Sequence, residues 1–141
     1  MYFIVYIFFY LISLLPWRVL YFVSDVIAFL LRKVIKYRVD VVQQNLAIAF
    51  PDKSQKERIK IAKEFYQQFT DSFIETIKLI SISDKTFQKR FSSNIEVIND
   101  LYASGQSVQI MAGHFFNWEF ANWGVAKYGK YPFLAVYMPL S

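Results

Sequence analysis

The chain has 141 residues, 55% of them hydrophobic and 20% aromatic, with a net charge of +5. So much apolar side chain excludes a disordered or low-complexity protein and demands a core, a membrane or a lipid to cover it. With no cysteine and a single histidine, there is no disulfide framework, no thiolate nucleophile and no ligand set for a structural zinc. The basic balance suits an anionic partner: nucleic acid, anionic lipid or an acidic carrier protein.

Residues 2–17, YFIVYIFFYLISLLPW, carry no charged side chain. Pro16 and Arg18 interrupt the run, and VLYFVSDVIAFLL continues it, broken only by Asp25. A bilayer core of about 30 Å needs around 20 apolar residues as a helix, so the segment reads as a tilted or kinked span or a shallow helical hairpin. The competing readings are a cleavable signal peptide, which wants its positive charge before the apolar stretch, and a buried core helix. Tyr2, Tyr6, Tyr10, Trp17 and Tyr21 are amphipathic aromatics of the kind that favour a membrane interface. The basic cluster of Arg32, Lys33, Lys36 and Arg38 then belongs at the cytoplasmic face, where it can also attract anionic headgroups.

Further on, Pro51 and Asp52 punctuate the chain, and Ser54 followed by Glu57 is a capping box at a helix start. Ala62, Phe65, Tyr66, Phe69, Phe73, Ile77 and Leu79 or Ile80 recur at spacings of three and four, a helical stripe. Its simplest role is core packing. A short helix is expected from Ser83 to about Arg90.

The last fifty residues alternate. SNIEVIN reads as a strand, DLYASG as a short helix closed by Gly105, SVQIMA as a second strand, NWEFANWGVAKYG as a helix ended by Gly129, and PFLAVYM as a third strand. This predicts an α/β fold: N-terminal membrane-associated helices followed by the start of a mainly parallel βαβαβ sheet with flanking helices. The organisation expected is a membrane-anchoring segment over 1–38, a helical connector over 39–90 and the first part of a catalytic domain over 91–141. The ending VYMPLS, just after an apolar run, reads as a domain cut short. Ligands bind beyond the carboxyl ends of parallel strands, and Gly113 and His114 directly follow SVQIMA.

His114 and Glu119 stand five residues apart. On one continuous helix they would point about 140° apart at 3.6 residues per turn. With Asn117 as N-cap, His114 lies in the loop and Glu119 in the first helical turn, and the loop can fold the ring back onto the carboxylate. The carboxylate then accepts a proton from one ring nitrogen and leaves the other to act as a base. No serine, threonine or cysteine adjoins it as a nucleophile, so the natural target is a substrate hydroxyl, deprotonated as it attacks an acyl thioester. N–H groups near residues 118 to 120 can position phosphate or stabilise developing charge. The pair alone is weak evidence, since a lone histidine among aromatics is more often packed than catalytic.

The string AGHFFNWE, preceded by RVDVVQQNLAIAFPDKSQKER and SGQSVQIM and followed by YMPLS, resembles the bacterial lipid A late acyltransferases of the lysophospholipid acyltransferase superfamily. The resemblance covers nearly all of the chain but about the first half of a family member. It implies an inner-membrane O-acyltransferase, its catalytic part facing the cytoplasm, that moves a fatty acyl chain from acyl carrier protein to a hydroxyl of a lipid A precursor. It implies His114 as general base, Glu119 as its orienting partner, and Asn117 and Trp118 as substrate-binding neighbours within the motif. It implies no cofactor beyond the thioester donor; one histidine and no cysteine make a metal site unexpected, and basic residues clustered beside a membrane segment argue against a nucleic-acid partner. Met138 stands where a basic residue is expected before Pro139. The alternatives are a phospholipid or glycolipid acyltransferase of the same superfamily using acyl-CoA, and a non-catalytic membrane protein.

Overall fold

The computed structural model describes residues 2–111, 113, 117–132 and 134. Among them are seven α-helices and one π-helical turn: α1 (Tyr2–Leu14), α2 (Trp17–Phe29), the π turn (Leu30–Val34), α3 (Val39–Ala49), α4 (Gln55–Lys78), α5 (Asp84–Arg90), α6 (Ile95–Ala103) and α7 (Trp118–Tyr128). The chain forms two compact units, residues 1–82 and 83–141.

The first unit is built on α4, the longest helix. Its start is the capping box expected from sequence: the Glu57 N–H donates to Ser54 Oγ at 3.3 Å and the Ser54 N–H donates to Glu57 Oε2 at 2.8 Å. These bonds to Ser54 hold the Glu57 carboxyl below its ordinary range. One line of α4, Ala62, Tyr66, Thr70 and Ile74, is buried. It meets Leu20, Ser24 and Ala28 of α2, also buried and also four apart. Small residues on α2 allow close approach, and hydroxyls stitch the seam: Ser24 Oγ donates to Thr70 Oγ1 at 2.9 Å and Tyr21 Oη donates to Glu75 Oε1 at 2.6 Å. Gln67 donates to Asp25 from the same face, so the charge that interrupts the apolar run of α2 is paired against α4.

Two helices replace one at Pro16, which has no N–H to continue α1. The axes of α1 and the segment from Trp17 to Val34 differ by 115°. The carbonyls left at the end of α1 find donors on α4 and just beyond: Lys78 Nζ donates to Ser13 O at 2.6 Å and to Leu15 O at 3.0 Å, and Ser81 Oγ donates to Ser13 O at 2.7 Å. Among the described residues no single helix is long and apolar enough to cross a membrane; the bent pair qualifies by length and composition. Nearly all of α1 is exposed, from Tyr2 at 85% and Ile4 at 72% to Leu11 at 59%. An apolar exterior on that scale needs a covering.

The stripe read on α4 is displaced from the one that is buried. Phe65 and Phe73 are 44% and 58% exposed. They flank Phe69 in a row, Phe65 stacked on it at a centroid separation of 5.9 Å and Phe73 edge-to-face at 5.0 Å, along the flank of the buried line. Burial follows the narrow seam that α2 can reach, and Thr70, polar and unremarked in the pattern, lies at its centre.

The second unit corrects the expected α/β architecture. Among the described residues there is no strand and no sheet. SNIEVIN begins α6 instead. Ile95, Ile98 and Leu101 are half-buried at helical spacing while Val97 is 58% exposed, so the period of three to four prevails over the period of two. The helix closes on Gly105 at φ +74°, where the Gly105 N–H donates to Tyr102 O at 3.0 Å and the Gln106 N–H to Leu101 O at 3.4 Å, a Schellman ending. Of SVQIMA, residues 107–111 belong to no helix or strand. Alternation marks a segment able to pair, but a ladder needs a second strand about 4.8 Å away, and none of the described segments supplies it. Of PFLAVYM, only Pro132 and Leu134 are described, neither in a strand; the rest of that expected strand lies outside the described residues.

Candidate active-site helix

The segment expected to carry chemistry converges on the start of α7. Asn117 is its N-cap: the Phe120 N–H donates to Asn117 Oδ1 at 2.9 Å. Glu119 therefore falls in the first helical turn, half-buried, as the N-cap argument requires. Trp118 beside it is 43% exposed. The Phe120 N–H is committed to its cap and is not available to developing charge. Gly113 is described and exposed, whereas His114, Ala112, Phe115 and Phe116 lie outside the described residues, as do Met138 and Pro139. The structure thus places one member of the pair, and the approach of His114 to Glu119 is not part of it.

What holds α7 is an aromatic cluster centred on α5. Phe87 is fully buried. Its ring lies 4.7 Å from Phe120, 4.5 Å from Trp123, 5.1 Å from Phe91 and 6.0 Å from Tyr128, centroid to centroid. Phe120 is the residue after Glu119, so the turn that carries the carboxylate is the turn that Phe87 pins. Gly124 lets α7 come close: a Cβ there would stand 2.6 Å from Cε1 of Phe91. Lys127 pairs with Asp84 at the start of α5 and lies 4.4 Å from the centre of the Trp123 ring.

The far end of α7 is tied to α6 through one side chain. Asn99 Nδ2 donates to Tyr128 O at 3.2 Å, and the Lys130 N–H donates to Asn99 Oδ1 at 2.9 Å. Phe87, Phe91 and Asn99 were missed as positioning residues. The signal was present for the first two: Phe87 and Phe91 stand at i, i+4, and Phe120 and Trp123 at i, i+3, so each helix shows the other a pair of rings. Among the described residues no group of three or more His, Asp or Glu side chains is arranged to hold a metal ion.

Residues 1–141 match the family model described as bacterial lipid A biosynthesis acyltransferase. The chain belongs to this family. No curated protein and no solved structure matches it. Membership in the lipid A biosynthesis acyltransferases carries an acyltransferase function of the lipid A pathway with it. Within that frame the Asn117-capped start of α7 is the candidate site. It is a helix end bearing a carboxylate two residues in, directly after the segment that contains the chain's one imidazole.

Proposed function

We propose that this protein transfers a fatty acyl chain from acyl carrier protein to a hydroxyl of a lipid A precursor at the inner membrane, its catalytic part facing the cytoplasm. His114 is the general base, Glu119 orients its ring, and Asn117 and Trp118 contact substrate. The observation that carries the reading is the cap at Asn117. It holds Glu119 in the first turn of α7, and in the sequence two residues stand between His114 and the cap.

The chemistry follows from the two groups. A free alcohol is far less acidic than an imidazolium, whose ordinary pKa is about 6.5, so the proton moves to His114 as the new C–O bond forms rather than before it. The substrate oxygen attacks the thioester carbonyl and a tetrahedral oxyanion results. Its collapse breaks the C–S bond, and the imidazolium returns its proton to the departing thiolate. Glu119 stabilises the imidazolium and fixes which nitrogen faces the hydroxyl. The reaction balances with no cofactor.

The membrane part of the proposal rests on the exposed apolar exterior of α1 and on the bent α1–α2 pair. Residues 1–38 anchor the protein, 39–90 connect, and 91–141 supply the start of the catalytic part. Basic residues beside the anchor suit lipid phosphates and an acidic carrier.

The test is mass spectrometry of lipid A from cells with and without the protein, with acyl carrier protein and coenzyme A thioesters compared as donors in vitro. The expected result is loss of one acyl chain and transfer from the carrier-protein donor. His114→Ala should cut the rate by roughly two or more orders of magnitude, and Glu119→Gln should cut it with little change in donor KM. An unaltered lipid A profile, or an H114A variant of full activity, would sink the proposal. Transfer from the coenzyme A thioester alone would reassign the donor.

A further inference from the structure

The segment RVDVVQQNL has no part in the chemistry at α7, yet two of its residues meet at one pocket. Arg38 and Asn45, seven residues or about two helical turns apart, both line an open cavity of about 190 Å³ between α3 and α4. Its other walls include Tyr37, Val41, Phe65 and Phe69. A second groove of about 320 Å³ adjoins it, lined by Ile27, Leu31, Phe73, Ile74 and Ile77. Tyr37 and Phe69 belong to both. The two grooves together are amphiphilic: a long apolar trench on one side of the Tyr37–Phe69 ring pair, and a guanidinium and an amide on the other.

The backbone here is held in an unusual shape. α2 runs into the π turn, and Lys36 and Arg38 both adopt the left-handed region, at φ 55° and 51°. Such a backbone shape is strained for a non-glycine residue and persists only where its surroundings impose it. The Tyr37 N–H donates to Leu31 O at 2.8 Å, and the buried Tyr66 hydroxyl donates to Tyr37 O. Those bonds clamp the turn and set Arg38 at the mouth of the pocket. Burial raises the Tyr66 hydroxyl above its ordinary pKa while the nearby Arg32 guanidinium lowers it, so a second positive charge acts on the same locus.

Among the described residues the basic side chains around the pocket have no ion-pair partner. Arg38 is the N-cap of α3 with no side-chain cap bond, and a cation there opposes the positive end of the helix dipole. Asp40 lies in the first turn of α3, and no ion pair joins it to Arg32, Lys33, Lys36 or Arg38 among the described residues. A helix N-terminus, an unpaired guanidinium and a carboxamide all favour an anion with hydrogen-bond acceptors.

We infer that this double groove holds one anionic glycerophospholipid, its phosphate on Arg38 and Asn45 and an acyl chain in the trench along Phe69, Phe73 and Ile77. The site lies wholly in the first unit and is separate from the reaction at α7. It rests on the membrane reading of α1 and α2 only for delivery of the lipid.

The test is native mass spectrometry of the full chain released from detergent, titrated with dilauroyl phosphatidylglycerol or dilauroyl phosphatidylcholine. A one-to-one adduct is expected with the anionic lipid and little with the neutral one. Arg38→Gly removes the guanidinium while relieving the positive-φ strain, and it should weaken the adduct about tenfold or more, as loss of a charge-assisted phosphate contact does. Asn45→Leu should weaken it too. Lys33→Gln, in the same basic cluster but outside the pocket lining, should stay within about twofold. Circular dichroism checks that each variant keeps its helices, and Ile77→Trp, which fills the trench, gives a second route to loss of the adduct. Equal loss in R38G and K33Q, an adduct untouched by R38G and I77W, or equal binding of the neutral lipid would each overturn the inference. Co-sedimentation with phosphatidylcholine vesicles reports the membrane reading by itself, because it depends on α1 and not on Arg38.

Discussion

Replacing Phe87 with alanine should release the start of α7. The ring is fully buried and meets four other rings at 4.5 to 6.0 Å. Phe→Ala in a core costs about 3–5 kcal/mol from lost transfer energy and the cavity left behind. The aromatic pairs are part of that loss, at about 0.5–1.5 kcal/mol each beyond burial. A unit the size of residues 83–141 is stabilised on the order of 3–9 kcal/mol, at 0.05–0.15 kcal/mol per residue. The substitution thus removes a third or more of what holds the second unit together, whereas the Ser24–Thr70 seam of the first unit is untouched. Amide hydrogen exchange of the full chain reads both at once. F87A should lose protection across α5 and α7, including residues 118–121, while α4 keeps its own. Phe87→Leu, which retains most of the apolar volume, should lose less. Unchanged protection in α7 would refute the claim that Phe87 positions Glu119, and equal loss in α4 would refute the claim that the cluster serves its own unit.

Three other substitutions test other parts of the structure. Asn117→Ala removes the acceptor for the Phe120 N–H and should cost about 1 kcal/mol, seen as a lower urea midpoint; Asn117→Asp should restore it. The Tyr128 hydroxyl is buried with no hydrogen-bond partner among the described residues, so Tyr128→Phe should be neutral or stabilising by up to about 1 kcal/mol in thermal unfolding, where loss of a hidden bond would instead destabilise. Burial raises the Asp71 carboxyl above its ordinary range, against a hydrogen bond from Gln67. The folded state therefore binds its proton more readily than the unfolded chain does. Asp71 disfavours folding when ionised, and this handicap lifts as pH falls through its raised folded pKa toward the ordinary carboxylate value. Asp71→Asn should be the more stable protein at neutral pH, with the advantage shrinking on acidification; an advantage that grew toward low pH would contradict the assignment.

The capping signals were legible because they are local. Ser54 with Glu57, Ser83 at the start of α5 and Asn117 at the start of α7 each bond a backbone N–H three residues away, and nothing distant needs to agree. The break at Pro16 is local for the same reason. That the described residues form no sheet was not legible. In SNIEVIN, Ile95 and Val97 offered a strand while Ile95, Ile98 and Leu101 offered a helix, and a few residues cannot separate two periods that share a start. In SVQI the alternation was real, but a strand exists only when a neighbour accepts its hydrogen bonds.

By itself, then, the order of residues determined the break at Pro16, the starts of α4 and α5, the pairing of Asn117 with the first turn of α7, and the family motif around it. Tertiary contacts alone decided which stripe of α4 is buried, that Phe87 pins the turn bearing Glu119 from α5, and that Arg38 and Asn45 share a pocket. The reason is reach. A cap is closed by atoms within one turn, while burial and grooves belong to pairs of helices, and their partners are dozens of residues apart in the chain.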